Sequence, residues 1–290
     1  MTEQPDSISP PLPDFVKILE NVGGQEDGQI DLGACALALA HVDVSERNIE
    51  RYWRHLQKLT AEVKSRHQKL LDNGGENDVR TQLAALKHTI ADKHGYVGDA
   101  EFYDNLQNAN LIHVIDRRKG MPITLSIIYL HVAIELGWAV HALNFPAHVV
   151  CAIEKNGEKL LFDPFNQCRL MNASDLRQYL KTLVSEDAEL SSDYYKATSR
   201  RNVLIRLQNN IKLRQIEAED YEAAVHTVEL MRKIDPSEYR LLFDAGILYA
   251  RIDKPVAAVR ALENYIEAAT DRKDKDEAYS ILYQIRSLID

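Results

Sequence analysis

Arg117-Arg118-Lys119-Gly120-Met121-Pro122-Ile123-Thr124-Leu125-Ser126-Ile127-Ile128-Tyr129-Leu130-His131-Val132-Ala133-Ile134-Glu135-Leu136 is the stretch on which the fold turns. Pro122 follows a Gly-Met pair and suits the first turn of a helix, where its missing N–H costs nothing. Over 122–136 the apolar residues fall on every side instead of along one stripe. A helix of that kind is buried on most of its faces, so the flanking sequence has to supply the layers that cover it. Gly137 ends it.

Downstream the apolar period drops from that of a helix to two. Segments 140–145, 148–154 and 159–165 read as strands, and Asn156-Gly157 between the last two is a strong signal for a two-residue hairpin. Upstream the pattern is helical. Leu32, Cys35, Leu37, Leu39 and Ala40 make a short apolar helix ending near His41-Val42-Asp43. Ser45 is a good N-cap for the next helix, whose stripe is Ile49, Tyr52, Trp53, Leu56, Leu59 and Val63. Asn73-Gly74-Gly75 breaks it, and Val79, Leu83, Leu86 and Ile90 mark a third helix that stops near Gly95. The first residues, with Pro5, Pro10, Pro11 and Pro13, have the composition of a flexible tail.

Beyond about residue 187 everything is helical, with amphipathic segments near 201–218, 220–233, 238–251, 255–269 and 274–289. Tyr221-Glu222-Ala223-Ala224 returns as Pro255-Val256-Ala257-Ala258 after 34 residues, the period of a tetratricopeptide (TPR) hairpin. Leu242, Gly246 and Tyr249 precede Ala258 at the spacing such hairpins use, and small residues are needed where the two helices cross. The first repeat is degenerate, with Gln208 and Lys212 at positions that favour other residues. Two repeats do not close a core alone, so they are expected to dock on the preceding domain. The last segment, with Tyr279, Leu282, Ile285 and Leu288, reads as a cap.

Composition narrows the partners. The chain has 290 residues, 45% hydrophobic and 27% charged, with a net charge of −9. An acidic surface repels phosphate backbones and anionic lipid, so neither nucleic acid nor membrane is the expected partner. No run approaches the length of a transmembrane helix, and the first residues lack the basic start and apolar core of a signal peptide. Cys35, Cys151 and Cys168 form no CxxC pair; three cysteines suit a reducing cytoplasm and no disulfide framework.

One constellation carries chemistry. If Asn156-Gly157 is the hairpin loop, Lys155 pairs with Glu158, His148 falls opposite Phe165, and His148 shares a face with Asp163 on a diagonal. A carboxylate so placed orients an imidazole, as in a nucleophilic triad, or simply satisfies a polar pair that stabilises the sheet. The nucleophile is missing. Cys151 points to the opposite face with Val149 and Ile153, while Cys35 and Cys168 lie elsewhere. The start of the buried helix, where the dipole would depress a thiol pKa, holds no cysteine; it offers Thr124 and Ser126, hydroxyls that commonly bond their own backbone. Arg117-Arg118-Lys119 either grips an anion or is a solvated loop. His131 and Glu135 are one helical turn apart with no third ligand at a recognisable spacing, so no metal is expected. No HExxH, GxxxxGK or GxGxxG occurs, and no cofactor is expected.

The run from Leu111 to Ser126, then Phe145-Pro146-Ala147-His148 and Asp163-Pro164-Phe165-Asn166, resembles the SirB-type bacterial family, over about residues 30–290. The resemblance implies an α+β fold: a transglutaminase-like, papain-like domain of helices and antiparallel sheet, followed by an all-α TPR domain. Together with the composition it divides the chain into a flexible Pro-rich tail over 1–28, read from the prolines, a transglutaminase-like domain over 29–186 (helical 29–98, core helix and sheet 99–186), and TPR-like repeats over 187–290. Transglutaminase-like enzymes use a Cys at the start of a buried helix, then His and Asp on neighbouring strands. His148 and Asp163 match the last two; the Cys position falls within 122–124 and is unmatched. The expectation is a cytoplasmic, non-catalytic adaptor that binds a protein partner through the TPR groove. Arg117, Arg118 and Asn166 are its candidate binding residues. The alternative is a hydrolase or acyl-transfer enzyme in which His148 and Asp163 act with water or Thr124.

Overall fold

The computed structural model describes residues 12–287. Phe15–Asn21 forms α1, capped by the Asp14 carboxylate, which accepts from Lys17 N at 3.2 Å. Leu32–Asp43 is α2, Ile49–Asp72 is α3 and Val79–Leu86 is α4, which continues as a π-helical stretch over Lys87–Lys93. The short strand β1 (Val97–Gly98) precedes α5 (Leu111–Arg117), and β2 (Lys119–Gly120) pairs with β1 in parallel. Then comes α6, Pro122–Glu135, with every residue from Pro122 to Ala133 buried, as an all-round apolar helix requires.

An antiparallel sheet follows in chain order: β3 (Ala139–Ala142), β4 (Cys151–Lys155), β5 (Glu158–Asp163) and β6 (Arg169–Met171). Lys155 pairs with Glu158 across the Asn156-Gly157 turn, both of whose residues have positive φ (52° and 84°). That is the backbone a two-residue hairpin loop demands. Ala173–Leu183 is α7. The remainder is helical: α8 (Arg200–Glu217), α9 (Tyr221–Ile234), α10 (Arg240–Arg251), α11 (Pro255–Ala268) and α12 (Arg272–Arg286). No helix among the described residues is long and apolar enough to cross a membrane.

The repeats dock on the front half through shared core. Val203, Leu204, Leu207 and Ile211 of α8, with Leu230 and Ile234 of α9, belong to the same buried cluster as Leu125, Ile127 and Ile128 of α6. Within the repeats Gly246 of α10 is required by close approach, because a Cβ there would lie 2.7 Å from Leu262 Cγ of α11. Ala224 and Ala258 are fully buried at equivalent places. Gln208 and Lys212, which break the repeat pattern, are also buried, and Lys212 reaches Asp244 of α10 at 2.6 Å.

Several local expectations are corrected. The tail expected over 1–28 is structured where it is described: Phe15 and Val22 are buried, and Asp27 accepts from Arg200 N at 3.0 Å and Arg201 N at 2.9 Å. Arg201 in turn donates to Val22 O at 3.1 Å and Gln25 O at 2.6 Å, so this segment ties the repeats to the front half. Pro5, Pro10 and Pro11 lie outside the described residues, as does Leu288. Asn48, not Ser45, caps α3, accepting from Glu50 N at 3.0 Å. The strands are shorter than their apolar alternation, and α5, α7 and β6 are additions. Asn110 nucleates α5 by accepting from Ile112 N at 3.0 Å and His113 N at 3.2 Å. Asn172 and Asp175 form a reciprocal capping box for α7, a signal present in the sequence.

Candidate functional site

His148 does not stand on a strand. It lies in the link between β3 and β4, in a tight turn where His148 N donates to Pro146 O at 2.7 Å and Ala147 takes φ 58°. The turn is held from the repeats: Arg206 of α8 donates to Phe145 O at 3.1 Å and His148 O at 3.0 Å, with Leu143 O at 3.4 Å. A guanidinium suits this task, since its rigid fork serves several carbonyls at once. Burial pulls the Arg206 pKa below its ordinary value.

The turn delivers the imidazole to the end of β5, where His148 Nε2 lies 3.0 Å from Asp163 Oδ2. Asp163 has no exposed surface and His148 only 6%. The same carboxylate oxygen accepts from Tyr179 OH and from Asn166 Nδ2, each at 2.8 Å, while Oδ1 accepts from Phe165 N at 2.9 Å. Asn166 spends its second amide hydrogen on Tyr179 OH at 2.9 Å. Burial pushes the Asp163 carboxyl up, but hydrogen bonds from His148, Asn166 and Tyr179 outweigh it and hold the pKa below the usual 3.8. Burial, then the neighbouring Asp163 charge, raises the Tyr179 phenol. An ionised Asp163 can only accept, so Nε2 of the imidazole carries a proton toward it. Nδ1 has no protein partner among the described residues. Tyr179 and Phe165 meet the imidazole edge to face, with centroids 4.9 Å and 6.0 Å away. Gly98 lets Phe165 sit there: a Cβ at 98 would be 2.5 Å from its ring.

All three thiols are buried, and none is activated. Burial pushes Cys35 and Cys151 up to about 12 and raises Cys168 well above 9.0, with the Asp163 charge adding to the effect on Cys151 and Cys168. A nucleophilic thiol needs the opposite shift. Cys151 packs in the core with Val149 and Ile153. In the first turns of α6, Ser126 Oγ donates to Pro122 O at 2.7 Å, the usual back-bond of a helical serine. Thr124 is fully buried and its Oγ1 has no hydrogen-bond partner among the described residues.

The structure therefore brings His148, Asp163 and Asn166 together and scatters the arginines. Arg117 turns inward to Asp99 Oδ2 at 2.6 Å and Asn108 Oδ1 at 2.9 Å. Arg118, in the left-handed region at φ 61°, faces a different cavity beside His55 and Tyr96. Tyr179 and Arg206, both central to the cluster, carry no sequence signal: Arg206 comes from α8, far along the chain, and Tyr179 comes from α7, whose register against β5 no spacing sets. His131 acquires a third neighbour in Asp31, the ligand atoms of Asp31, His131 and Glu135 lying within 4.8 Å of one another. Asp31 already serves as the cap of α2, accepting from Ala34 N at 3.0 Å, and stands 3.3 Å from His131 Nδ1.

A second concavity lies on the repeats between α8, α9 and α10. It holds about 300 Å³, with Ile216, Tyr221, Phe243 and Ile247 among its walls, the buried Lys212 paired with Asp244, and Arg251 exposed.

Comparison with known proteins agrees with this architecture. The model of the transglutaminase-like superfamily matches residues 50–209, more than half of the chain, and a tetratricopeptide repeat model matches residues 211–283. The chain is similar to Protein SirB1 of Salmonella typhimurium, 26% identical over 187 residues covering 64% of this chain and 69% of that one. It is similar to a UPF0162 protein of Vibrio cholerae, 23% identical over 248 residues (85% and 89%), and to one of Xylella fastidiosa, 25% identical over 189 residues (64% and 67%). No solved structure matches.

Proposed function

The chain belongs to the transglutaminase-like superfamily, and from that premise we propose that it is a non-catalytic adaptor whose repeats bind a protein partner in the cytoplasm. The observation that carries this is the groove on α8–α10. Its apolar walls, Phe243 and Ile247, are half-buried, and Arg251 at its edge makes no ion pair among the described residues. Such a groove accepts an apolar side chain flanked by a carboxylate, the usual way helical repeats read a partner segment. The high thiol pKa values and the inward commitment of Asp163 and Asn166 support the same reading. Co-purification from bacterial extract tests it. A partner held by the wild type and by His148→Ala, but lost with Ile247→Glu, is expected; retention by Ile247→Glu of everything the wild type binds refutes it.

A second reading has its own observation. The free Nδ1 of His148 beside ionised Asp163, and the unpartnered Thr124 hydroxyl, are the parts of a general base and an acceptor for hydrolysis or acyl transfer. An amide and ester substrate screen run beside His148→Ala separates the two. Equal turnover by both proteins removes the enzyme.

A further inference from the structure

The cavity between α3 and α5 differs in charge from the rest of this acidic chain. It holds about 300 Å³ and is walled by Arg51, Arg54, Lys58 and Arg118 against one carboxylate, Asp116. The cations on α3 have nominal partners. Arg54 bonds Glu50 at 2.6 Å, Lys58 lies 3.9 Å from Glu62, and Arg51 lies 3.6 Å from Asp116. The last two carboxylates are already shared, Glu62 with Lys93 and His94, and Asp116 with Arg47 at 3.2 Å and Tyr52 OH at 2.9 Å.

Arg118 has no such partner. It sits at the C-terminus of α5, its guanidinium 4.8 Å over the Tyr96 ring. Its Nη1 donates to Tyr96 OH and to His55 Nε2, the latter at 2.9 Å. Both acceptors are neutral near pH 7. Burial first, then the Arg118, His94 and Lys58 charges, pushes His55 down to about 4, and burial raises the Tyr96 phenol. Among the described residues Arg118 makes no ion pair, and its Nε and Nη2 hydrogens meet no acceptor. A half-buried guanidinium held rigidly by neutral groups, with half its fork unused and aimed along a cavity wall, is a preorganised anion receptor.

We propose that this cavity binds a phosphomonoester dianion, with Arg118 as the fixed bidentate anchor and Arg51, Arg54 and Lys58 as the mobile rim. A dianion balances the local excess of positive charge better than a carboxylate, and its tetrahedral oxygens serve the fork and the rim together. Tyr52 and Ile115 supply apolar wall for the organic part, and the volume suits a small metabolite. The site shares no residue with the His148 cluster or the repeat groove, so it stands or falls independently of the adaptor reading.

The test is titration calorimetry of the full chain at constant ionic strength with glycerol 3-phosphate, run beside co-sedimentation with vesicles of phosphatidic acid in phosphatidylcholine. The soluble phosphate and the lipid headgroup present the same chemistry, so binding to either supports the site and the two arms identify its source. Arg118→Gln is expected to weaken binding by about tenfold or more, and the exposed rim variant Arg51→Gln by about two- to fivefold. If Arg118→Gln does not fold, Arg51→Gln decides. Undiminished binding in the folded variants, or no binding of either probe by the wild type, overturns the proposal.

Discussion

Around Asp163 and around Arg118 the protein buries a charge beside a histidine and aromatic rings, yet the two neighbourhoods end in opposite states. Asp163 collects His148, Tyr179, Asn166 and the Phe165 amide until no lone pair faces outward. Arg118 is braced by neutral Tyr96 and His55 and keeps half of its donors free. A buried charge whose hydrogen bonds close on themselves rigidifies the fold, whereas one left open keeps free energy that an outside group can recover. On this criterion the bonds of His148 and Asp163 close on each other, while Arg118, at the C-terminal end of α5, has donors to offer.

Mutation of the closed centre produces the largest effect. Asp163→Ala strands the imidazole, the Tyr179 hydroxyl and the Asn166 amide in the interior, and is expected to cost about 3–5 kcal/mol in urea denaturation. A loss under about 1 kcal/mol would mean that the cluster is wet and open, which revives the enzyme reading. Next comes Arg206→Met, which orphans the carbonyls of Phe145 and His148 and is expected to cost about 2–3 kcal/mol. The His148 ring resonances should broaden with it, since α8 no longer fixes the turn. Tyr179→Phe removes one hydrogen bond from a carboxylate that keeps others, for about 1–2 kcal/mol by the same denaturation.

The effects of pH are read as slopes instead of single losses, and they separate the two centres. His55 binds its proton less readily folded (about 4) than at the ordinary 6.5, so the unfolded chain holds more protons between those values. Stability is expected to decline as pH falls from 6.5 towards 4, and His55→Gln should flatten that part of the curve. Asp163 acts lower: its contribution is present above 3.8 and is lost as pH falls through its depressed folded value. Asp163→Asn should flatten only that acid limb. A single transition abolished by both variants would show that the two centres do not titrate independently.

Much of the fold is legible along the chain because its determinants are local. The apolar circumference of 122–136, the Asn156-Gly157 turn and the 34-residue return of Tyr221-Glu222-Ala223-Ala224 each act within a few residues or one repeat. Their structures follow as expected, down to the pairing of Lys155 with Glu158. The cap of α7 is equally local, set by Asn172 and Asp175. The ends of the strands were misplaced because His148 obeys the alternation of β4 while the backbone, turned at Pro146 and Ala147 and clamped by Arg206, leaves the ladder before it. The hairpin register brings His148 and Asp163 to the same end of the sheet, but the ladder stops at Cys151 and Phe162 and the contact itself is made by the turn at Pro146 and Ala147. Tyr179 has no spacing that links α7 to the end of β5.

The chain's own pattern thus specifies a buried central helix, a hairpin sheet that ends at Asp163, a helical repeat, and the lack of a cysteine at the helix start. These depend on periodicity, turn chemistry and residue identity, which a neighbour in space does not alter. Tertiary packing settles which charges are spent. Arg117 and Arg118 are adjacent and chemically identical, yet one meets Asp99 and Asn108 while the other, turned by φ 61°, lines a cavity and makes no ion pair among the described residues. Partners supplied by distant segments decide whether a polar group is satisfied, and that depends on the folded arrangement of α3, α5, α7 and α8 together.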